Sequence, residues 1–201
     1  SGIAYGLREK DSKKFSSPQL VRWASGAFSV FPTKVLKEIG LFSEDFFFGQ
    51  EEWDYSLRLT KNKYLIYYDP EVVATHSVGG SYRSSHPVLN TFNGYCNKVL
   101  MAKKHFSFFK YFLWLIIFEL RTFIKSISIA LKHSYCKKDF ILQLKAIFLS
   151  LLIAPFIKRT NNQLLKNASR FIGVSPTWPN FWESDNISKE DKKVIVVHSG
   201  R

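Results

Sequence analysis

Two adjacent acidic residues, Glu51 and Glu52, stand at the start of a predicted helix and are well suited to chemistry. The N–H groups left free at a helix N-terminus stabilise the charged form of a carboxylate, and neighbouring side chains point in different directions. One carboxylate can then take a proton from a substrate hydroxyl while the other holds the loop or orients the substrate. Asp54 and Arg58, four residues apart, are spaced to pair along one face of the helix and brace it. The pair therefore predicts a general base, with an ordinary acidic first turn as the alternative.

Small residues occur at two places where another group could approach the backbone. Gly26 and Ala27 interrupt a predicted strand, where the lack of bulk permits close contact. Gly79 and Gly80 lie in a loop, where their backbone amides could approach a phosphate, and Arg83 could offset its charge. These residues are candidates for binding substrate.

Two further residues have two interpretations each. The indole of Trp23 could stack on a sugar ring, although packing in the core explains it equally well. His76 ends a predicted strand, where it is either a ligand or a structural histidine.

The predicted elements around these residues alternate between strand and helix. The helix after Pro32 has Thr33 as a plausible cap and Gly40 as its stop. The predicted strands are Leu20–Phe31, Lys63–Tyr68 and Val72–His76, and the predicted helices are 33–40 and Glu51–Lys61.

Beyond residue 90 the pattern changes to helices with long apolar runs, predicted at Asn90–His105, 108–120, 122–133 and 140–157. Charged or polar residues break every run, so none has the roughly 20 apolar residues of a confident membrane span. Amphipathic helices lying in a membrane interface fit best. A helical hairpin dipping into the bilayer and a soluble helical subdomain are the alternatives.

The charge is concentrated in the same half. The net charge is +13: residues 1–100 contain 12 Lys and Arg against 10 Asp and Glu, whereas residues 101–201 contain 17 against 6. Basic residues mixed with apolar runs favour an anionic membrane surface, with a solvated basic face as the alternative, and no nucleic-acid motif is present. Cys96 and Cys136 form neither a disulfide framework nor a zinc pattern, which favours a reducing cytoplasm.

The order of the motifs within residues 21–83 resembles the second half of the catalytic domain of family 2 glycosyltransferases, particularly the rhamnosyltransferase-like branch. The matching blocks are Gly26-Ala27, then VLKEIGLFSEDFFFGQEEWDYSLRL, then YLIYYDPEVVATHSVGGS. The resemblance implies an α/β fold: the C-terminal portion of a GT-A-type mixed sheet with flanking helices, followed by amphipathic or hydrophobic helices. The expected domains are an acceptor-side half over 1–90, a membrane-associated helical region over 91–158 and a polar tail over 159–201.

The resemblance also implies roles for individual residues. Glu52 falls on the family's usual catalytic base, Glu51 on the first acid of the same motif and Asp54 on the third. Glu52 departs from the commoner Asp, and its extra methylene shifts the carboxylate. His76 falls where similar transferases place a His near the donor diphosphate or its metal.

The implied activity is inverting transfer of a sugar from a nucleotide-sugar donor to a glycan or lipid-linked acceptor. Such an enzyme would build surface polysaccharide at the cytoplasmic face of the cell membrane. The divalent metal, Mg²⁺ or Mn²⁺, would be held mainly by an N-terminal half with an Asp-x-Asp motif, which this sequence lacks. We therefore expect a fragment that does not transfer sugar unaided. The alternatives are a non-catalytic basic membrane-binding module and, third, nucleic-acid binding.

Overall fold

A computed structural model of the chain describes residues 15–24, 29–72, 87–132 and 137–173. These residues form two units, each described separately below: a sheet unit (15–24, 29–42 and 52–72) and a helical unit (43–51, 87–132 and 137–173). The elements in chain order are β1 (Gln19–Val21), α1 (Thr33–Ile39), α2 (Glu51–Lys61), β2 (Ile66–Tyr68), α3 (Pro87–His105), α4 (Phe108–Lys132), α5 (Lys137–Ile153) and α6 (Asn162–Ile172).

The sheet unit contains one short antiparallel ladder. β1 pairs with β2, and Leu20 lies opposite Tyr67 at the centre of the register. Strands of three residues give few ladder hydrogen bonds, so side-chain contacts must support the pair. The Tyr68 hydroxyl provides one by donating to the carbonyl of Phe15 over 3.1 Å.

Aromatic rings pack α2 against the segments on either side of α1. Tyr55 lies at the centre, with its ring centroid 4.6 Å from that of Phe42 and 5.0 Å from that of Phe31. Leu59, one turn further along α2, is also buried. The sequence places these side chains on one face because residues four apart in a helix lie above one another.

The helical unit is built around α3, which packs against α4, α5 and α6. Its buried side chains recur three or four residues apart, as the inward stripe of a helix requires, at Leu89, Phe92, Cys96 and Val99. Small residues such as Ala146 on α5 and Ala168 on α6 are also buried, and their size lets helices approach closely.

The fold prediction is wrong. The part of the chain that the structure describes is mostly helix and contains only a two-stranded sheet, not the trailing portion of a GT-A-type mixed sheet. The predicted strand Lys63–Tyr68 loses its first half to the end of α2. Lys63 has a positive φ of 65°, and the N–H of Tyr64 donates to the carbonyl of Leu59. The predicted strand from Leu20 is confirmed only as far as Val21, and Ser29–Phe31 is irregular.

The predicted helices agree with the structure better than the predicted strands do. The bounds of α2 are confirmed, and α1 ends at Gly40, whose φ is 85° and whose N–H donates to Leu36. Thr33 is not the cap: Pro32 holds that position and provides no side-chain hydrogen bond. The predicted helices 108–120 and 122–133 are one helix, α4.

The sequence analysis misses one helix, because it assigns residues 159–201 to a polar tail. α6 begins after Asn161, whose side chain accepts a hydrogen bond from the N–H of Leu164, and ends at Gly173 with a left-handed φ of 83°. Among the described helices, none is long and apolar enough to cross a membrane.

Candidate functional site

The first turn of α2 places Glu52 at the edge of a shallow pocket in the sheet unit, with an enclosed volume of only about 10 Å³. Glu52 is half-buried, and the walls of the pocket are mainly apolar or aromatic. Sites that enclose a whole small molecule are far larger, about 300–1,000 Å³, and about 10 Å³ is the space of a single water molecule. The described walls therefore mark a depression beside the carboxylate and do not enclose a sugar. The other lining residues are Ala24, Ser29, Phe31, Phe42, Tyr55 and Ser56.

Two residues on the same face of α2, Tyr55 and Ser56, line this pocket with apolar atoms only. Tyr55 is only 1% exposed, and its hydroxyl makes no hydrogen bond within the part of the chain that the structure describes. Burial raises the pKa of Tyr55, with a smaller opposing effect from the Arg58 charge, so the phenol stays protonated at neutral pH. The Ser56 hydroxyl accepts from the N–H of Ala24 over 3.2 Å. Neither hydroxyl is therefore exposed to a molecule in the pocket.

Asp54 lies on a different face of α2 and is fully buried. The Arg58 Nε donates to Asp54 Oδ2 over 2.9 Å, the ion pair expected from their spacing. The two Arg58 Nη atoms donate to the carbonyls of Ile39 and Leu41 over 2.9 and 2.7 Å. Because one guanidinium joins the Asp54 carboxylate to the end of α1, Asp54 has a bracing position rather than one facing the pocket.

The Trp23 ring stacks on Trp53 of α2, with centroids 5.1 Å apart and planes 16° from parallel. One face of the indole is therefore covered by another indole. Its buried Nε1 makes no hydrogen bond among the described residues. The stack fixes the chain that leaves β1 beside α2, whichever of the two predicted roles Trp23 has.

In the helical unit, the loop that leads into α2 has a strained backbone. Phe48, Gly49 and Gln50 have φ values of 50°, 113° and 79°. Only glycine adopts such values readily, and each non-glycine residue there costs about 1–2 kcal/mol. Strain of this kind persists only where surrounding contacts enforce it, and it concentrates at functional sites.

Three polar side chains of the helical unit enforce this conformation. Asn97 of α3 donates to the carbonyls of Gly49 and Phe47 over 2.7 and 3.1 Å, and its Oδ1 accepts from the Thr160 hydroxyl over 2.6 Å. Asn93 donates to the carbonyls of Phe47 and Phe48. The Thr160 hydroxyl accepts from the N–H of Phe47 over 2.7 Å. Asn97 and Thr160 are almost fully buried, so solvent cannot replace these bonds.

Two charged residues complete the anchoring of the loop. The Glu51 carboxylate accepts from the N–H of Gly49 over 2.6 Å, which is the loop-holding role open to one member of the acidic pair. Lys104 of α3 lies 2.7 Å from Asp45 and donates to the Ser43 hydroxyl. The hydrogen bond from Lys104 lowers the pKa of Asp45, with burial acting in the opposite direction.

The remaining predicted site residues fall outside the described part of the chain. They are Gly26, Ala27, His76, Gly79, Gly80 and Arg83. Within the described ranges, no cluster of three or more His, Cys, Asp or Glu residues could hold a metal ion. The metal site stays a prediction, because His76 lies outside the described residues.

The sequence analysis missed five residues at these positions. Tyr55 and Ser56 could have been found from helical spacing, because they lie three and four residues beyond Glu52 on the same face. Asn93, Asn97 and Thr160 carry no comparable signal, since their partners are backbone groups more than 40 positions away along the chain.

Comparisons of this chain with protein-family models, curated proteins and solved structures find no match.

Proposed function

We propose that this chain supplies the acceptor-side part of an inverting sugar transferase, with Glu52 as the general base. The observation that carries the proposal is the position of Glu52 on the half-buried first turn of α2, beside a pocket also lined by Tyr55 and Ser56. A carboxylate in such a place can receive a proton from a hydroxyl held in the pocket.

The chemistry requires little more of these residues. An acceptor hydroxyl gives its proton to the Glu52 carboxylate, and its oxygen forms a bond to the anomeric carbon of a nucleotide sugar. The bond from that carbon to the diphosphate breaks with inversion, and the nucleoside diphosphate leaves with the electron pair.

The test is sugar transfer by this chain joined to a donor-binding domain, with Glu52→Gln as the main variant. The amide keeps the shape of the side chain but cannot accept the proton, so turnover should fall by about 10²- to 10⁴-fold. Glu71→Gln is the matched control, since Glu71 is an exposed acid in the same unit. Wild-type turnover in Glu52→Gln would remove Glu52 from the role. Failure of the joined protein to transfer any nucleotide-bound sugar would overturn the proposal as a whole.

A further inference from the structure

The longest helix, α4, exposes large apolar side chains along one continuous face. These residues recur three or four positions apart, the spacing that aligns side chains along one side of a helix. Phe109 is 84% exposed and Leu120 is 57% exposed, values that water-soluble helices rarely show for a whole row of such residues. The row is formed by Phe109, Phe112, Ile116, Leu120, Phe123 and Ile127.

The opposite face of α4 carries both aromatic and hydroxyl side chains. Thr122 and Ser126 are only 5% and 9% exposed, and the Ser126 hydroxyl donates to the carbonyl of Phe123 over 2.7 Å. Nearer the start of α4, Trp114 and Phe118 stack at 4.7 Å, and Phe118 meets Tyr95 of α3. The helix therefore keeps a row of large apolar side chains on its outward face although two hydroxyl groups are turned inward. A helix whose outer face met only water would place polar side chains there.

Charge distinguishes one edge of this apolar face. Lys110, Arg121 and Lys125 are exposed, and at 100° per residue they project within about 60° of one another. The exposed Leu113, Ile117 and Ile124 lie between them and the apolar row, so the basic residues border this wider apolar face. The acid of this stretch, Glu119, is half-buried, and burial raises its pKa. Burial lowers the pKa of Lys98 on α3, and the nearby positive charge of Lys125 lowers it further. The exposed edge is therefore entirely basic between Phe108 and Ser128.

We propose that this outward face of α4 binds an anionic lipid surface, with the helix axis lying along the surface. The apolar row would enter the boundary between headgroups and acyl chains, while the basic edge would meet the lipid phosphates. A second copy of the chain is a poorer occupant, because paired helices place opposite charges beside their apolar seam and this edge would meet its own positive charge. The inference does not depend on the proposed transferase activity.

The first experiment is co-sedimentation of the full chain with vesicles. One set contains phosphatidylglycerol in phosphatidylcholine and the other contains phosphatidylcholine alone. The chain should bind the anionic vesicles several-fold more tightly, and the difference should shrink as salt is raised, because counter-ions screen the basic edge. Absence of binding to the anionic vesicles overturns the proposal.

The decisive variant carries Ile116→Glu and Leu120→Glu together. Both side chains are exposed, so their replacement removes little internal packing, and circular dichroism should show unchanged helix content. Binding to anionic vesicles should weaken by about tenfold or more, because two apolar contacts are replaced by charges that the lipid repels. Leu65→Glu is the matched control: Leu65 is an exposed leucine of the sheet unit, and this change should leave binding within about twofold.

A second variant tests the basic edge without altering the apolar row. Lys110→Gln, Arg121→Gln and Lys125→Gln together should remove most of the preference for phosphatidylglycerol and flatten the salt dependence. Unchanged binding in the apolar double variant overturns the proposal. Light scattering without lipid provides another test. A dimer that is present in the parent and lost in the apolar double variant also overturns the proposal, because a second copy would then cover the face. Retention on DNA without vesicle binding would instead assign the basic edge to nucleic acid.

Discussion

At the scale of single residues, removing the buried hydroxyl of Tyr55 should affect the stability of the chain and its sugar transfer differently. Its hydroxyl lacks a described partner, so removing it relieves the cost of burying an unpaired polar group. We predict that Tyr55→Phe keeps or raises the free energy of unfolding by up to about 1 kcal/mol. Because the buried hydroxyl is not exposed to the pocket, the same change should leave sugar transfer by the joined protein unchanged. Chemical denaturation and the transfer assay measure the two effects.

Tyr64→Phe is the control for this variant. The Tyr64 hydroxyl is exposed and donates to Glu38 over 2.6 Å, so its loss should cost a few tenths of a kcal/mol and leave transfer unchanged. A clear loss of stability in Tyr55→Phe would mean that the phenol has a structural partner.

The scale of elements concerns the loop before α2 and the asparagines that hold it. Asn97 has no exposed surface, and both protons of its amide group and its oxygen are used. Asn97→Ala leaves two carbonyls and a threonine hydroxyl without these partners. We predict that it lowers the free energy of unfolding by about 2–4 kcal/mol, measured by urea denaturation.

The matched control is Asn167→Ala, which makes the same substitution on an exposed face of α6 in the same unit. Alanine favours helix more than asparagine, so this variant should be as stable as the parent or slightly more so. Equal losses in the two variants would show that the Asn97 network does not hold the loop.

Local signals made the helices predictable and left the strands poorly predicted. α2 has acids in its first turn and bases near its end, and its bounds follow from those residues alone. The strand predictions used aromatic and β-branched runs, but of the described residues in them only Leu20–Val21 and Ile66–Tyr68 pair, with each other. Pairing is decided by distant residues, and a short apolar run does not contain that information. α6 could have been found, since Asn161 and Gly173 are ordinary start and stop residues.

The candidate site was predictable to the same extent. Glu51, Glu52 and the Asp54–Arg58 pair are neighbours in one helix, so their spacing was sufficient. The anchoring of the loop by Asn93, Asn97 and Thr160 joins segments that are remote in the sequence. A polar residue on a helix more often faces water, and nothing local distinguishes these three from residues that do.

At the scale of the whole molecule, Cys96 can report how cooperatively the helical unit opens. The thiol is fully buried, and burial raises its pKa to about 12. In a Cys136→Ser variant, we predict that alkylation at pH 8 proceeds only as fast as the unit unfolds, because the thiolate forms only on exposure. Mass spectrometry follows the reaction, and full reactivity in urea is the control. Rapid modification of the native chain would show that α3 opens locally.

The stability of the helical unit should also depend on pH through the pair of Asp45 and Lys104. Because its bond to Lys104 lowers the pKa of Asp45, the carboxylate stabilises the folded chain fully above its ordinary pKa of 3.8, and this contribution is lost as the pH falls below 3.8. We predict that Asp45→Asn is less stable than the parent at pH 7, by less than about 1 kcal/mol because solvent screens the pair, and that the difference shrinks as the pH falls below 3.8. Thermal unfolding across this pH range measures the effect.

Glu44→Gln is the control, since its more exposed pair with Arg159 should contribute less at every pH. A difference between Asp45→Asn and the parent that stays constant with pH would show that the Lys104 contact acts through packing rather than charge.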